Sequence, residues 1–194
     1  MIGNDKSQVS VATLPRKKQL AFALLVFERM LPSLVAFSKD TGFDDSCYLQ
    51  AKDAAWAALQ NGPVVRSLSE VCLRGAPDTE EYSHELTSYA LNAALVMNDI
   101  MEFTQDGCTD HIKSILTLAG DSAYLYLSSL EDSLVSSPEE NNRIASHPLV
   151  QEEYRREEDD IGFLVSLPEQ FNDETILSLR ARADTQAPLL PVTC

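Results

Sequence analysis

Charged residues interrupt the first long apolar stretch of this chain at Glu28 and Arg29, and Pro32 follows one helical turn later. Within a helix, a proline lacks a backbone N–H and clashes with the carbonyl four residues earlier, which here belongs to Glu28. A bend, a freed carbonyl and two charges therefore fall on one turn. Such a turn is typical either of a structural joint or of a ligand pocket, with the sequence favouring a joint stabilised by polar contacts.

Four more residues are of types that would complete such a site. Asp53 and Trp56 lie one turn apart on an alanine-rich helix, and Asn92 lies on a long apolar helix. Glu157 falls on the apolar stripe of another helix, where a carboxylate needs a donor or a proton. Arg29 is one expected partner, and an edge position with access to solvent is the other. We predict that six side chains form one polar cluster or pocket: Glu28, Arg29, Asp53, Trp56, Asn92 and Glu157.

Metal and nucleophilic chemistry find little support in the spacing of the acidic and histidine residues. A ferritin-like site needs two Glu-x-x-His pairs, and Glu81 with His84 is the only such pair. Acidic pairs three residues apart would suit Mg²⁺ in a nucleotide hydrolase; the chain has three, whereas chance alone gives roughly five. No glycine-rich phosphate loop occurs. We therefore predict no catalytic residue, no metal site and no cofactor.

The charge of the chain restricts its partners. Its 194 residues include 30 acidic and 15 basic ones, which gives a net charge of −15 and a pI near 4.4. The first 40 residues carry a net +3, so the remaining chain carries −18. Such a field repels phosphate backbones and attracts basic partners. We expect no nucleic-acid partner, and a protein partner of unknown identity would be basic; a homodimer is also compatible with these charges.

The cysteines and the apolar segments bear on location. Four scattered cysteines with no CxxC motif predict reduced thiols and a cytoplasmic protein: Cys47, Cys72, Cys108 and Cys194. The basic residues 16–18 precede an apolar run, as in a signal peptide, but that run ends at Glu28. It falls short of the ~20 apolar residues that a membrane span needs. We predict neither a targeting segment nor a membrane partner.

Helical periodicity predicts an all-α fold, a single-domain bundle of about seven or eight helices whose first long helix is kinked at Pro32. Residues 1–12 are predicted to be a flexible arm, 13–185 the helical bundle and 186–194 an extended tail. The expected helices are Pro15 to Thr41, Ser46 to Asn61, Val64 to Arg74, Ser83 to Thr104, Asp110 to Leu134, one starting at Pro138, Pro148 to Leu167, and Asp173 to Ala183.

Five segments, in this order and spacing, resemble a known family: Glu28 to Pro32, Phe37 to Phe43, Asp53 to Trp56, Tyr89 to Ala93, and His147 to Glu153. They are similar to the YjaG-like bacterial proteins of the domain of unknown function 416 family, over nearly the whole chain. The family pattern has a proline and an aspartate where this chain has Tyr89 and Asn92. The resemblance implies an all-helical bacterial cytoplasmic protein and no established activity.

Two functional hypotheses remain after these observations. The leading one is a non-enzymatic protein-interaction module whose acidic face, formed by the acids of residues 131–160, binds a basic partner. The alternative is a small-molecule or Mg-dependent nucleotide-binding or hydrolysing bundle, with its polar groups gathered around the turn at Pro32. A cavity beside that turn would favour the alternative.

Overall fold

The computed structural model describes residues 5–63, 66–130 and 138–191. These ranges hold nine α-helices and no strand, which confirms the predicted all-α fold. The helices are α1 Asp5–Ala12, α2 Arg16–Thr41, α3 Ser46–Leu59, α4 Arg66–Arg74, α5 Thr87–Asp106, α6 Thr109–Leu130, α7 Pro138–Ala145, α8 Pro148–Ser166 and α9 Asp173–Thr185. Residues 131–137, which include the predicted end of α6 and two acids of the predicted acidic face, Glu131 and Asp132, lie outside the described residues.

Helices α2 and α5 form the centre of the bundle. Every side chain from Ala21 to Phe27 is fully buried, so α2 is apolar around its whole circumference there. Small residues on α5, among them Ala90, Ala93 and Ala94, are buried as well and allow neighbouring helices to approach closely. By length and composition α2 would also suit a membrane span, with a mean hydropathy of 1.8, but 78% of that apolar window is buried inside the protein. These side chains build the core.

The basic first turn of α2 caps the ends of two other helices. Arg16 Nη2 donates to the carbonyl oxygens of Phe103 and Thr104, both at 3.0 Å, at the end of α5. Lys18 Nζ donates to the carbonyl of Leu167 at 2.6 Å, just past the end of α8. Cations are favourable at helix C-termini, where the last carbonyls lack partners. These tertiary contacts explain a basic cluster that is unfavourable for its own helix.

The structure differs from the sequence prediction at the N-terminus. A flexible arm was predicted over residues 1–12, whereas residues 5–12 form helix α1 and pack against α6 and α8. Val11 is only 1% exposed, and Lys6 Nζ lies 2.7 Å from Glu158 Oε1 on α8. A single apolar anchor in a polar segment gives no readable helical period, so the sequence did not predict this helix.

Pro32 does not interrupt α2, which runs from Arg16 to Thr41 as one helix. Proline removes the intrahelical donor to the carbonyl of Glu28 and crowds the preceding turn. The next carbonyl of that turn, which belongs to Arg29, accepts a hydrogen bond from Leu189 N at 2.8 Å. The helix ends at Gly42, whose φ of 75° is the left-handed conformation that favours glycine.

The segment after α9 packs along the bundle as far as it is described. Residues 187–191 lie outside any helix, and Leu189 and Leu190 are buried. The backbone contact from Leu189 and the burial of these two leucines fix this segment beside the Pro32 turn. The division of the chain into arm, domain and tail otherwise stays a prediction.

Candidate functional site

Arg29 lies at the centre of a buried ion-pair cluster that joins α2 to α8. Its side chain is fully buried, and Nη2 lies 2.6 Å from Glu153 Oε1. On the same helix, Asp160 Oδ2 lies 2.7 Å from Arg29 Nη1. Because residues 153 and 160 are two helical turns apart, both carboxylates face α2. One guanidinium therefore bridges two acids of one helix.

The cluster extends to α9 and to the residue after it. Asp160 Oδ1 accepts from Arg182 Nε at 2.6 Å and from Gln186 Nε2 at 2.7 Å. The side-chain oxygen of Gln186 in turn accepts from Arg29 Nη1 at 2.7 Å. We call these five residues the arginine cluster: Arg29, Glu153, Asp160, Arg182 and Gln186. Two guanidinium groups face two carboxylates, so the charges of the cluster balance.

The electrostatics of Arg29 support a structural role. Burial alone lowers its pKa, but the carboxylates of Glu153 and Asp160 outweigh that effect and raise the pKa above the ordinary value. All three of its side-chain nitrogens donate to protein oxygens. A permanently charged group with its donors occupied is suited to holding helices together and not to transferring protons or binding a ligand.

Glu28 faces a different part of the bundle from Arg29. Its carboxylate accepts from Trp56 Nε1 at 3.0 Å and lies 3.5 Å from Lys52 Nζ. Trp56 is buried, and the guanidinium carbon of Arg180 lies 4.8 Å from the centre of its ring. The two adjacent charges of the Pro32 turn thus serve two separate contacts, one with α3 and one with α8.

The other predicted residues lie outside the arginine cluster. Asp53 is exposed, and Asn92 Nδ2 donates to Ser122 Oγ at 3.0 Å between α5 and α6. Glu157 is buried, and this residue does not lack an interaction partner. Arg29 pairs with the acids one turn to either side of Glu157, namely Glu153 and Asp160.

The burial of the acids on α8 could have been predicted from the sequence. Val150, Glu153, Glu157, Asp160 and Leu164 recur at helical spacing and are all buried on α8. Read as one stripe, they show three acids on an apolar face, which requires at least one buried cation. The i,i+4 pairs between arginines and acids on α8 instead favoured the interpretation that these acids lie on a solvent-exposed face.

A cleft lies beside the Pro32 turn, between α2, the start of α5, the end of α6 and the segment after α9. Its volume is about 470 Å³, within the usual size range of small-molecule pockets. We call it the tyrosine cleft; its walls include Ser33, Asp40, Glu85, Tyr89, Tyr126 and Leu190. None of these residues belongs to the predicted site.

Two hydroxyl groups of the tyrosine cleft have no partner. Ser33 is 4% exposed and Tyr89 8% exposed, yet neither side-chain oxygen forms a hydrogen bond with any part of the chain that the structure describes. Each fully enclosed polar side-chain atom of the described residues does have a partner. Both hydroxyls must therefore reach the open space of the cleft, where they are available to a ligand.

The arginine cluster positions one wall of this cleft. Gln186 belongs to the cluster, and three residues later Leu189 N donates to the Arg29 carbonyl. Leu190, the next residue, is buried against the bundle and lines the cleft. The arginine cluster and the tyrosine cleft are therefore adjacent, and the segment 186–190 contributes to both.

The described parts of the chain contain no group of three or more His, Cys, Asp or Glu side chains able to hold a metal ion. At the cleft, His84 Nε2 lies 3.8 Å from Asp40 Oδ2, a contact too long for a strong hydrogen bond. Two of the thiols are not activated either. Burial raises the pKa of Cys72 to about 12 and also raises that of Cys47, which disfavours the nucleophilic thiolate.

The fold and the arginine cluster define the class of this protein: an all-helical bundle whose proline-containing central helix is joined to its C-terminal helices by a buried arginine. Residues 6–187 match the family described as "Protein of unknown function (DUF416)". The chain belongs to the DUF416 family, which confirms the resemblance found in its sequence.

A solved structure has the same fold. It is the crystal structure, at 1.91 Å resolution, of a DUF416 family protein from Shewanella baltica OS155. The two chains superpose with a TM-score of 0.85 at 16% sequence identity, over 96% of this chain and 98% of the other. Comparison with curated proteins gives no significant match. Neither the family description nor the solved relative assigns an activity.

Proposed function

We propose that this protein is a non-enzymatic binding protein that holds a small organic molecule in the tyrosine cleft. The observation that carries the proposal is the pair of nearly buried, unpartnered hydroxyls of Ser33 and Tyr89. Both oxygens are accessible from the open space of the cleft, where a ligand could bond to them in place of water. The cleft has the volume to admit one.

The charge of the cleft argues against a nucleotide as the ligand. Asp40 and Glu85 line it, and the described residues contribute no lysine or arginine to its walls. Phosphate groups need cations, a metal or a cluster of backbone N–H groups. The alternative of a Mg-dependent nucleotide hydrolase therefore receives less support from this site than the binding of an organic molecule without phosphate.

The acidic-face hypothesis also receives less support. On α8, Glu152 and Asp159 lie 2.7 Å and 2.5 Å from nitrogens of Arg155. Hydrogen bonds from Arg155 and Arg156 lower the pKa of Glu152 to about 2, with Arg155 contributing most. These carboxylates already have cationic partners, so they attract an external basic segment weakly.

A thermal-shift screen tests the proposal. A chemically diverse set of small organic molecules should contain compounds that raise the unfolding temperature, because a ligand present at about 100 times its Kd stabilises by about 2.7 kcal/mol. Mg²⁺ with nucleoside phosphates should give no shift. Compounds that act through the cleft should lose most of their effect in Tyr89→Phe and Ser33→Ala.

The matched control is Tyr124→Phe, which removes a hydroxyl from α6 outside the cleft walls. It should leave the shifts unchanged. The proposal is wrong if no organic compound stabilises the protein, or if the Tyr89 and Tyr124 variants respond alike.

A further inference from the structure

The walls of the tyrosine cleft combine carboxylates, aromatic rings and apolar side chains. Asp40 and Glu85 supply the carboxylates, and the rings are those of Tyr89 and Tyr126. Leu86, Leu190 and Pro191 add apolar surface. From this combination we propose that the cleft binds a small organic ammonium ion that carries an aromatic or aliphatic group; this inference rests on the proposed function.

The carboxylates of the cleft lack strong counter-ions. The Asp40 side chain is 53% exposed, and the partner shown for it is His84 at 3.8 Å. Glu85 is exposed and forms no ion pair with any residue in the described ranges. An ammonium group entering the cleft would meet two acceptors that no lysine or arginine already occupies. It would therefore gain charge-assisted hydrogen bonds without displacing a lysine or an arginine.

The neutral groups of the cleft suit the same ligand. An ammonium group is a donor only, with three N–H groups, and a hydroxyl such as that of Ser33 or Tyr89 can accept from it. The electron-rich faces of the tyrosine rings attract cations. The apolar residues Leu86 and Leu190 would contact the hydrocarbon part. Donors for a ligand carboxylate, in contrast, are limited to hydroxyl groups.

The charge of the whole chain favours the same selection. A net charge of −15 concentrates cations around the protein and repels anions. This long-range effect alone would attract any cation without discrimination. The cleft adds shape and direction, because its carboxylates lie beside two aromatic rings and two nearly buried hydroxyls.

Matched probes of different charge test the inference by isothermal titration calorimetry. One set is 2-phenylethylamine, 2-phenylethanol and phenylacetate, which share a ring and differ in charge, together with the benzyl and 3-phenylpropyl members of each series. At neutral pH and low salt, we expect the best amine to bind at least about tenfold more tightly than its alcohol. The carboxylates should not bind measurably. Added salt should weaken binding of the amine more than binding of the alcohol.

Single substitutions test which side chains cause the preference for amines. Asp40→Asn and Glu85→Gln should each weaken amine binding several-fold and leave alcohol binding unchanged. Both side chains are exposed, so these variants should fold, and unfolding curves verify this. Asp53→Asn is the matched control, since it changes the net charge equally at an exposed acid of α3 outside the cleft; it should bind the amines like the original protein.

Each result discriminates between the two proposals. If amines and alcohols bind equally, or if Asp53→Asn weakens amine binding as much as Asp40→Asn, the cation inference is overturned and the binding function stands. If no probe binds and the thermal-shift screen also finds no ligand, both proposals fail. If the screen finds only neutral or anionic ligands that require Tyr89, only the cation inference fails.

Discussion

Leu189 and Arg29 are joined through their backbones, with the amide of one 2.8 Å from the carbonyl oxygen of the other. The same arginine is joined to Gln186 through its side chain, at 2.7 Å. Two contacts thus hold the segment after α9 on the turn that precedes Pro32. Because Leu190 lines the tyrosine cleft, the stability of the joint and the shape of the cleft should change together.

Replacing Arg29 should destabilise the protein strongly. Arg29→Met leaves Glu153 and Asp160 facing an apolar side chain, and breaking a buried ion pair from one side typically destabilises by about 3–5 kcal/mol. Urea unfolding monitored by circular dichroism measures the loss. Arg155→Met is the control, because its exposed pairs with Glu152 and Asp159 contribute less than about 1 kcal/mol. Similar losses in the two variants would contradict the assignment of Arg29 as a structural joint.

The backbone contact from Leu189 can be tested by a proline substitution. Leu189→Pro deletes the N–H that bonds to the Arg29 carbonyl and also removes a buried leucine side chain, so it should lower the free energy of unfolding by at least roughly 1–3 kcal/mol. It should also weaken ligands of the cleft, since Leu190 would no longer be fixed. Ala187→Pro is the control, because Ala187 is exposed and its N–H makes no such contact. Unchanged ligand affinity in Leu189→Pro would show that this wall is not needed for binding.

His111 should make stability depend on pH. It lies 3.1 Å from Asp99 and 3.3 Å from Asp106. Partial burial lowers its pKa, but the hydrogen bonds to these carboxylates outweigh that effect and raise it above 6.5. A group whose pKa is raised in the folded state stabilises the fold fully at pH values below its pKa in the unfolded chain. This contribution is lost as the pH rises through its pKa in the folded protein.

The comparison of the original protein with His111→Asn measures this contribution. The difference in unfolding free energy should be larger at pH 5.5 than at pH 8.5. A difference that stays constant between these two pH values, or that grows toward alkaline pH, would contradict the ion pairs.

The caps from the first turn of α2 should contribute to stability and protect the end of α5. Arg16→Met removes the donor to the Phe103 and Thr104 carbonyls, and a charged hydrogen bond contributes about 1.5–3 kcal/mol. Amide hydrogen exchange should accelerate in the last turn of α5. Lys17→Met is the matched control, since Lys17 contacts only the exposed side chain of Asn61 among described residues. Equal effects of the two substitutions would exclude a capping role.

Local patterns predicted most of the fold. The core helices α2 and α5 have apolar residues at helical spacing, and Gly42 and Gly107 end these two helices as expected. The sequence did not predict helix α1, because the burial of this helix depends mainly on Val11 and on packing against α6 and α8. Such packing is a tertiary property that leaves no helical period in the local sequence. The same applies to the basic turn at Arg16, whose partners lie on other helices.

The candidate site was harder to predict from the sequence than the fold. Arg29 was identified because a buried cation interrupts an apolar run, but its partners Glu153 and Asp160 depend on which face of α8 meets α2. The tyrosine cleft was missed entirely. Ser33, Tyr89 and Tyr126 lie on three helices, and the absence of hydrogen-bond partners for their hydroxyls becomes visible only once the helices are packed.

The contacts of Arg29 also bear on the order in which the chain folds. Its acidic partners follow it by 124 and 131 residues, and Gln186 follows it by 157. On a ribosome, α2 would emerge with an unpaired cation in its apolar surface long before α8 is made. Contacts so distant in sequence form late and slow the folding reaction. The guanidinium of Arg29 can therefore gain its carboxylate partners only after α8 has been made, so the N-terminal helices carry an uncompensated cation until late in synthesis.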